Sequence, residues 1–168
     1  MKINLAHIEQ LTEVFAIFCE CRAAMQKENI FQWTDAYPTI DIASEDILNK
    51  QLFSLTHNGK CVGVITINTI QAAAYNAISW RFPGEKALVI HRLAVDPLHQ
   101  KQGIATRLMD FAEDYAVTAG YSSIRLDSNS SNTKALRFYR NRGYEERGEV
   151  YFPGRTLPFS CFEKQLTN

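Results

Sequence analysis

The chain has 168 residues, 46% of them apolar and 21% charged, with 18 basic side chains against 18 acidic ones. That length suits one domain with a real core, and the charge balance leaves no net field to recruit nucleic acid or an acidic membrane surface. No apolar run approaches the roughly 20 residues that span a bilayer, and no cationic segment precedes an apolar stretch at the N-terminus, so a cytoplasmic protein with no membrane partner is expected.

A short strand is predicted from about Lys2 to Ala6, followed by a helix. Ile8, Leu11, Val14, Phe15, Phe18, Cys21 and Met25 recur at the three-and-four spacing of one buried helical face. Residues 29–43 mix Phe31, Trp33, Tyr37 and Pro38 with polar groups and follow neither the helical nor the strand period. Aromatic bodies with polar tips suit the wall of a binding site, with Trp33 and Tyr37 as substrate contacts, and equally a loop pinned to the core. A brief helix is expected to start with Ser44 as its N-cap.

Leu52 to Thr56 and Cys61 to Asn68 are rich in β-branched residues and predict strands joined at Asn58-Gly59, a dipeptide that accepts positive φ in a tight hairpin. Gln71 to Gly84 reads as the end of one strand and the start of another, with a break at Pro83-Gly84. Ala87 to Val95 is apolar except at His91 and Arg92, which predicts one central strand covered on both faces. Ile104, Leu108, Phe111, Ala112, Tyr115 and Ala119 then mark a helical face that ends at Gly120. A strand at Ser122 to Leu126, a helix at Thr133 to Asn141 and strands at Tyr144 to Phe152 and Thr156 to Gln165 complete the chain. With no repeat or linker in view, one mixed α/β domain over residues 1–168 is expected.

Between the central strand and its helix stands Gln100-Lys101-Gln102-Gly103-Ile104-Ala105, of the form Q-x-x-G-x-A. Gly103 lets a bound group approach the backbone, Ala105 keeps the first turn unobstructed, and the free N–H groups of that turn favour a phosphate or pyrophosphate. The chain has neither the GxxxxGK[ST] of a Walker loop nor the GxGxxG of a dinucleotide fold. The cysteines at 19, 21, 61 and 161 lack metal-ligand spacing and read as reduced thiols, so no metal is expected.

Leu93-Ala94-Val95-Asp96-Pro97 followed by Gln100-x-x-Gly103-x-Ala105 resembles the most characteristic segment of the GNAT superfamily of acyl-CoA-dependent N-acetyltransferases. Asn132-x-x-Ala135-x-x-x-Tyr139-x-x-x-Gly143-Tyr144 is similar to its second. The resemblance covers essentially the whole chain. It implies a mixed, mostly antiparallel sheet of about six to seven strands flanked by about four helices, with two splayed parallel strands opening for the cofactor. It also implies acetyl-CoA as co-substrate. The backbone of Leu93, Ala94 and Val95 would pair with the pantetheine arm, and that of Gln100, Lys101, Gln102, Gly103, Ile104, Ala105 and Thr106 would hold the pyrophosphate. Asn132 would contact the cofactor and Tyr139 would stand near its sulfur.

Amide formation from a thioester needs a neutral amine, an oxyanion donor and a proton for the departing thiolate. The Val95 N–H suits the second role and Tyr139 the third. His91 resembles a catalytic histidine of arylalkylamine-type members, while the glutamate of histone-type members would align with Val89 and is absent. Glu85 and Asp127 are further carboxylate candidates or solvated loop groups. Arg92 and Arg125 would bind a substrate carboxylate or pair with nearby acids. The expected activity is acetyl transfer to a primary amine, on a small molecule or a peptide, by direct attack in a ternary complex. Alternatives are a silent acyl-CoA-binding regulatory module and a transferase with another acyl donor or a hydroxyl acceptor. Pairing into a homodimer, common among relatives, stays open.

Overall fold

The computed structural model describes residues 1–82 and 84–166, the side chain of Glu85 excepted. Pro83 of the predicted break lies outside them, as does any side-chain role of Glu85. The fold is mixed α/β, with eight strands and four α-helices among the described residues. Among the described residues every strand pair given below is antiparallel except one. The chain divides into two compact units, residues 1–67 with 91–112 and residues 68–90 with 113 onward.

In the first unit, β1 (Lys2–Leu5) pairs with β2 (Leu52–His57), β2 with β3 (Lys60–Asn68), and β3 with the short β5 (Ala94–Val95). Asn58 and Gly59 turn the hairpin at φ 50° and 78°, the left-handed pair the dipeptide predicts. Alternation along β2 sends Leu52 to one side and Phe53 to the other. Leu52 joins Val14, Ile17, Phe18 and Cys21 of α1 (Leu11–Lys27) and Ala43 and Ile47 of α2 (Ile40–Leu48) in one core. Phe53 meets Phe111 of α3 (Ile104–Thr118), ring centroids 4.8 Å apart. Gly63 lets α3 lie close, since a Cβ there would stand 2.8 Å from Ile104 Cγ2. Ile8, assigned to the helical core face, is 43% exposed because it belongs to a short 3-10 turn preceding α1.

In the second unit, β4 (Ala87–Ile90) runs parallel to β6 (Ser123–Asn129), β6 antiparallel to β8 (Phe159–Gln165), and β8 to β7 (Glu145–Val150). The helix α4 spans Thr133–Asn141 as the sequence predicts, capped by Asn132 Oδ1 on the Ala135 N–H at 3.2 Å. Leu136 and Tyr139 point inward, and Tyr139 packs between Tyr144 and Phe162.

Three expectations are corrected. The helix expected from Ser44 starts at Ile40, because the Thr39 hydroxyl caps the Ile42 N–H and places Ser44 mid-helix. Gln71 to Gly84 forms no strand among its described residues; Ala73–Ala77 is a 3-10 helix, Gly84 opens another (Gly84–Lys86), and the other described residues are irregular. The single strand Ala87 to Val95 is two strands, which raises the count above the six or seven expected. The register explains the split. Ala94 stands opposite Val64, which would place Arg92 opposite Thr66, yet it is the His91 N–H that donates to Thr66 O, at 3.0 Å. One extra residue lies between His91 and Ala94, the signature of a β-bulge.

Candidate active site

In the first unit the bulge hands over to β5, and the ladder fixes where Val95 points. Asp96 N–H donates to Val62 O at 3.0 Å, so Val95, one residue back, directs its own N–H and C=O away from β3. Its carbonyl is already occupied by the Cys21 thiol at 3.2 Å and the Gln100 side-chain amide at 3.3 Å. Burial pushes the Cys21 thiol up to about 12, so it stays a neutral donor. Gln100 therefore braces the strand through its side chain.

Asp96 caps the turn that follows, accepting from the Leu98 N–H at 2.9 Å and lying 3.0 Å from the His99 ring. The chain then takes left-handed conformations at Lys101, φ 61°, and Gly103, φ 77°. A Cβ on Gly103 would meet nothing within 4 Å, so glycine is required there by conformation and leaves the space above the helix start open. The first helical bond runs from the Arg107 N–H to Gly103 O, so the N–H groups of Ile104, Ala105 and Thr106 precede the ladder of α3. Lys101, Gln102 and Thr106 are exposed around them. This geometry fits a pyrophosphate, which needs an open row of N–H groups at the positive end of a helix dipole.

Other residues of this unit are placed differently. Trp33 lies in the core, edge-on to Phe18 with centroids 5.3 Å apart, and is 5% exposed. Tyr37 is partly buried and accepts from Arg92 Nη1 at 2.6 Å. Arg92 itself pairs with Asp46, the more ordinary of its two expected roles. His91 is partly buried within the bulge, so the strand-face alternation expected to align it with Val89, Leu93 and Val95 is interrupted.

In the second unit Asp127 on β6 is the notable group. Tyr75, from the 3-10 helix, donates its hydroxyl to Asp127 Oδ2 at 2.6 Å. The apolar surroundings push the Asp127 carboxyl up to about 6, against a lowering by that hydrogen bond. Burial, and then the charge of Asp127, raises the Tyr139 phenol above its ordinary value. Asn132 sits at the head of the same helix as its cap. Arg125 also takes the ordinary role and pairs with Glu163 at 3.1 Å.

Sequence reasoning passed over Tyr75 and gave Asp127 little weight. An acid alternating with Arg125 along a strand was the available signal, but its partner lies 52 residues upstream in a segment without periodicity.

The first unit thus carries a glycine-opened turn at the start of a helix, and the second, by itself, a parallel strand pair with the partly buried Asp127 and the buried Tyr139. The family model for the acetyltransferase (GNAT) family matches residues 12–144, and the chain belongs to that family. Human N-acetyltransferase 8 is 34% identical over 68 residues, which is 40% of this chain and 30% of that protein. An uncharacterized N-acetyltransferase of Methanocaldococcus jannaschii is 33% identical over 95 residues, 55% of this chain and 38% of its own. The chain thus matches well under half the length of these curated relatives. Among solved structures, a GNAT-family acetyltransferase from Streptococcus agalactiae 2603 aligns with a TM-score of 0.84 at 21% identity, covering 99% of this chain and 96% of the other. One from Salmonella typhimurium, solved with acetyl-CoA, aligns with a TM-score of 0.75 at 17% identity over 100% and 95%. At these identities the structures establish the fold.

Proposed function

We propose that residues 1–168 act as one N-acetyltransferase domain that moves an acetyl group from acetyl-CoA to a primary amine by direct attack in a ternary complex. The observation that carries this reading is Asp127, an acid held near pH 6 by apolar surroundings with its charge bearing on the Tyr139 phenol. Asp127 also accepts the Tyr75 hydroxyl at 2.6 Å, and a held proton acceptor of this acidity suits amine acylation.

Acetyl-CoA, when bound, supplies a thioester whose acyl carbon accepts the amine. Gly103 and the N–H groups of Ile104, Ala105 and Thr106 hold its diphosphate. The N–H of Val95, turned outward, is the donor for the carbonyl oxygen as negative charge develops there. Asp127 takes the proton that nitrogen sheds as the N–C bond forms. A free alkyl ammonium with a pKa of about 10.4 is far too weak an acid for such a base, so the amine attacks in its neutral form and the proton leaves once nitrogen carries the acyl group. Tyr139 keeps its proton through the neutral range and offers it as a hydrogen bond to sulfur while the C–S bond breaks. Asn132 is assigned to the cofactor and Tyr37 to the acceptor side.

His91 is the second reading for the base, favoured by its place in a bulge, where side chains are re-aimed. Thiol release from acetyl-CoA, followed over a panel of small and peptide amines, tests both. Asp127→Asn is expected to abolish turnover with the acetyl-CoA Kd unchanged, and His91→Gln to leave most of it. The reverse pattern transfers the role to His91, and tight acetyl-CoA binding with no amine turned over returns the chain to the class of silent binding modules.

A further inference from the structure

The irregular segment Gln71–Phe82, where the sequence suggested strand ends, is held in place with unusual care by a buried cation. Arg125 donates from Nε to Glu163 Oε1 at 3.1 Å, from Nη1 to Gln71 Oε1 at 2.6 Å and from Nη2 to the Phe82 carbonyl. Its guanidinium also stacks over Trp80 with 4.3 Å to the ring centroid. Glu163 in turn accepts from the Arg81 N–H at 2.7 Å. Trp80 donates its indole N–H to the carbonyl of Tyr75 at 3.0 Å and packs on the Tyr75 ring with centroids 5.0 Å apart. Arg125 thus reaches Tyr75 through Trp80, and Tyr75 is 3% exposed in a cluster with Val89, Val150, Phe159 and Cys161. The one polar atom of that ring meets Asp127.

We propose that Tyr75 is a positioning residue for Asp127: its hydroxyl fixes the carboxylate through Oδ2 and so presents Oδ1 as the oxygen that takes the acceptor's proton. The catalytic part of this inference rests on the reading of Asp127 as the base. A partly buried carboxylate on a strand has rotamer freedom that the strand does not remove, and one short hydrogen bond from a rigid ring removes it. The same bond favours the anion and keeps Asp127 ionised at neutral pH, opposing the apolar surroundings.

The other groups that bear on Asp127 do not change this. From α4 comes the Tyr139 phenol and from β8 the Cys161 thiol directly across the ladder; burial raises both, the thiol to about 12, so both are neutral where Asp127 titrates. Glu146 and Glu149 of β7 bear on Cys161. On β6 itself Arg125 is paired with Glu163, and Arg81 of the segment lies near Glu145. Tyr75 is the donor that a single conservative change removes.

The test uses the full chain and two readouts. In carbon-13 NMR of the Asp127 carboxyl, Tyr75→Phe is expected to move the midpoint upward by roughly one to two pH units, the scale of one hydrogen bond to a charged group. In amine acetylation the same variant should lose activity near pH 7, regain it as pH rises and leave the acetyl-CoA Kd unaltered. Added to Asp127→Asn it should cost nothing more. An unmoved NMR midpoint, or a loss that adds fully to that of Asp127→Asn, overturns the proposal. If the midpoint moves while Asp127→Asn acetylates amines like wild type, the base assignment fails and the clamp stands as a purely structural contact. Tyr75→Phe keeps the ring in its cluster; melting before each assay separates misfolding from these outcomes.

Discussion

Arg92 and Asp46 meet as a bidentate pair inside the first unit, Nε on Oδ2 and Nη2 on Oδ1, each at 2.7 Å, with both side chains 8% exposed. Thr66 Oγ1 adds a third donor to Asp46 at 3.0 Å, and Tyr37 takes the remaining Arg92 nitrogen. The pair ties α2 to the residue that follows His91 in the bulge, so its geometry bears on the strand expected to hold the cofactor. Removing one member strands a buried charge, which costs more than the pair itself contributes. Asp46→Ala should therefore lose about 3–5 kcal/mol in urea unfolding, while Asp46→Leu with Arg92→Met recovers most of it. A single substitution costing under about 1 kcal/mol would show that the pair does not anchor the bulge.

Two glycines of the same unit separate packing from conformation. At Gly63 a Cβ would approach Ile104 Cγ2 at 2.8 Å, Leu108 Cδ1 at 3.1 Å and the Ala94 carbonyl at 3.3 Å, so Gly63→Ala should destabilise by about 1–3 kcal/mol through overpacking against α3. At Gly103 there is room but a φ of 77°, so Gly103→Ala should cost about 1 kcal/mol in stability. Its larger effect is expected on acetyl-CoA, whose Kd should rise about tenfold as the loop relaxes away from the left-handed conformation and the new methyl meets the diphosphate. Calorimetric binding with urea unfolding on both variants distinguishes the two; an unchanged Kd for Gly103→Ala would remove the cradle from the site.

Where local chemistry decides a structure, the sequence was readable. Thr133–Asn141 carries its cap at Asn132 and its stop at Gly143, and the Asn58-Gly59 hairpin needs only the turn. The turn at Gly103 and the helix start after it were legible for the same reason, since they lie within one stretch. Competition between neighbours defeated the reading at α2, where both Thr39 and Ser44 are good caps and the pinned loop before Thr39 selects the first. Long-range contacts defeated it elsewhere. The bulge at His91 appears only in the register against Thr66, and the Gln71–Phe82 segment is fastened by Arg125, some 54 residues from Gln71. Asp127 looks like any strand-end carboxylate until Tyr75 stands against it.

Tyr139→Phe isolates the phenol. The ring, packed on Phe138, Tyr144 and Phe162, keeps its contacts, so melting should be unchanged and acetyl-CoA should bind as before. Loss of a proton donor to the departing sulfur should lower kcat about 10–100-fold. The loss should shrink with a thioester whose thiol is more acidic, because a better leaving group needs less help. An equal loss with both thioesters would assign Tyr139 to packing alone.

The raised carboxyl of Asp127 makes a prediction about stability that needs no acceptor. In the unfolded chain an aspartate titrates near 3.8, in the folded protein this one near 6. Between those values the folded state binds more protons than the unfolded state, so stability falls as pH rises through the window. Below about pH 4 the penalty is absent, and above about 6 it is present in full, on the order of 1–3 kcal/mol. Asp127→Asn removes the titration and still offers an oxygen to Tyr75. Its unfolding free energy should match wild type near pH 4 and exceed it at pH 7 to 8, while its turnover is lost. Parallel pH dependences in the two proteins would mean that Asp127 is solvated in the folded state and has no special acidity to bring to the reaction.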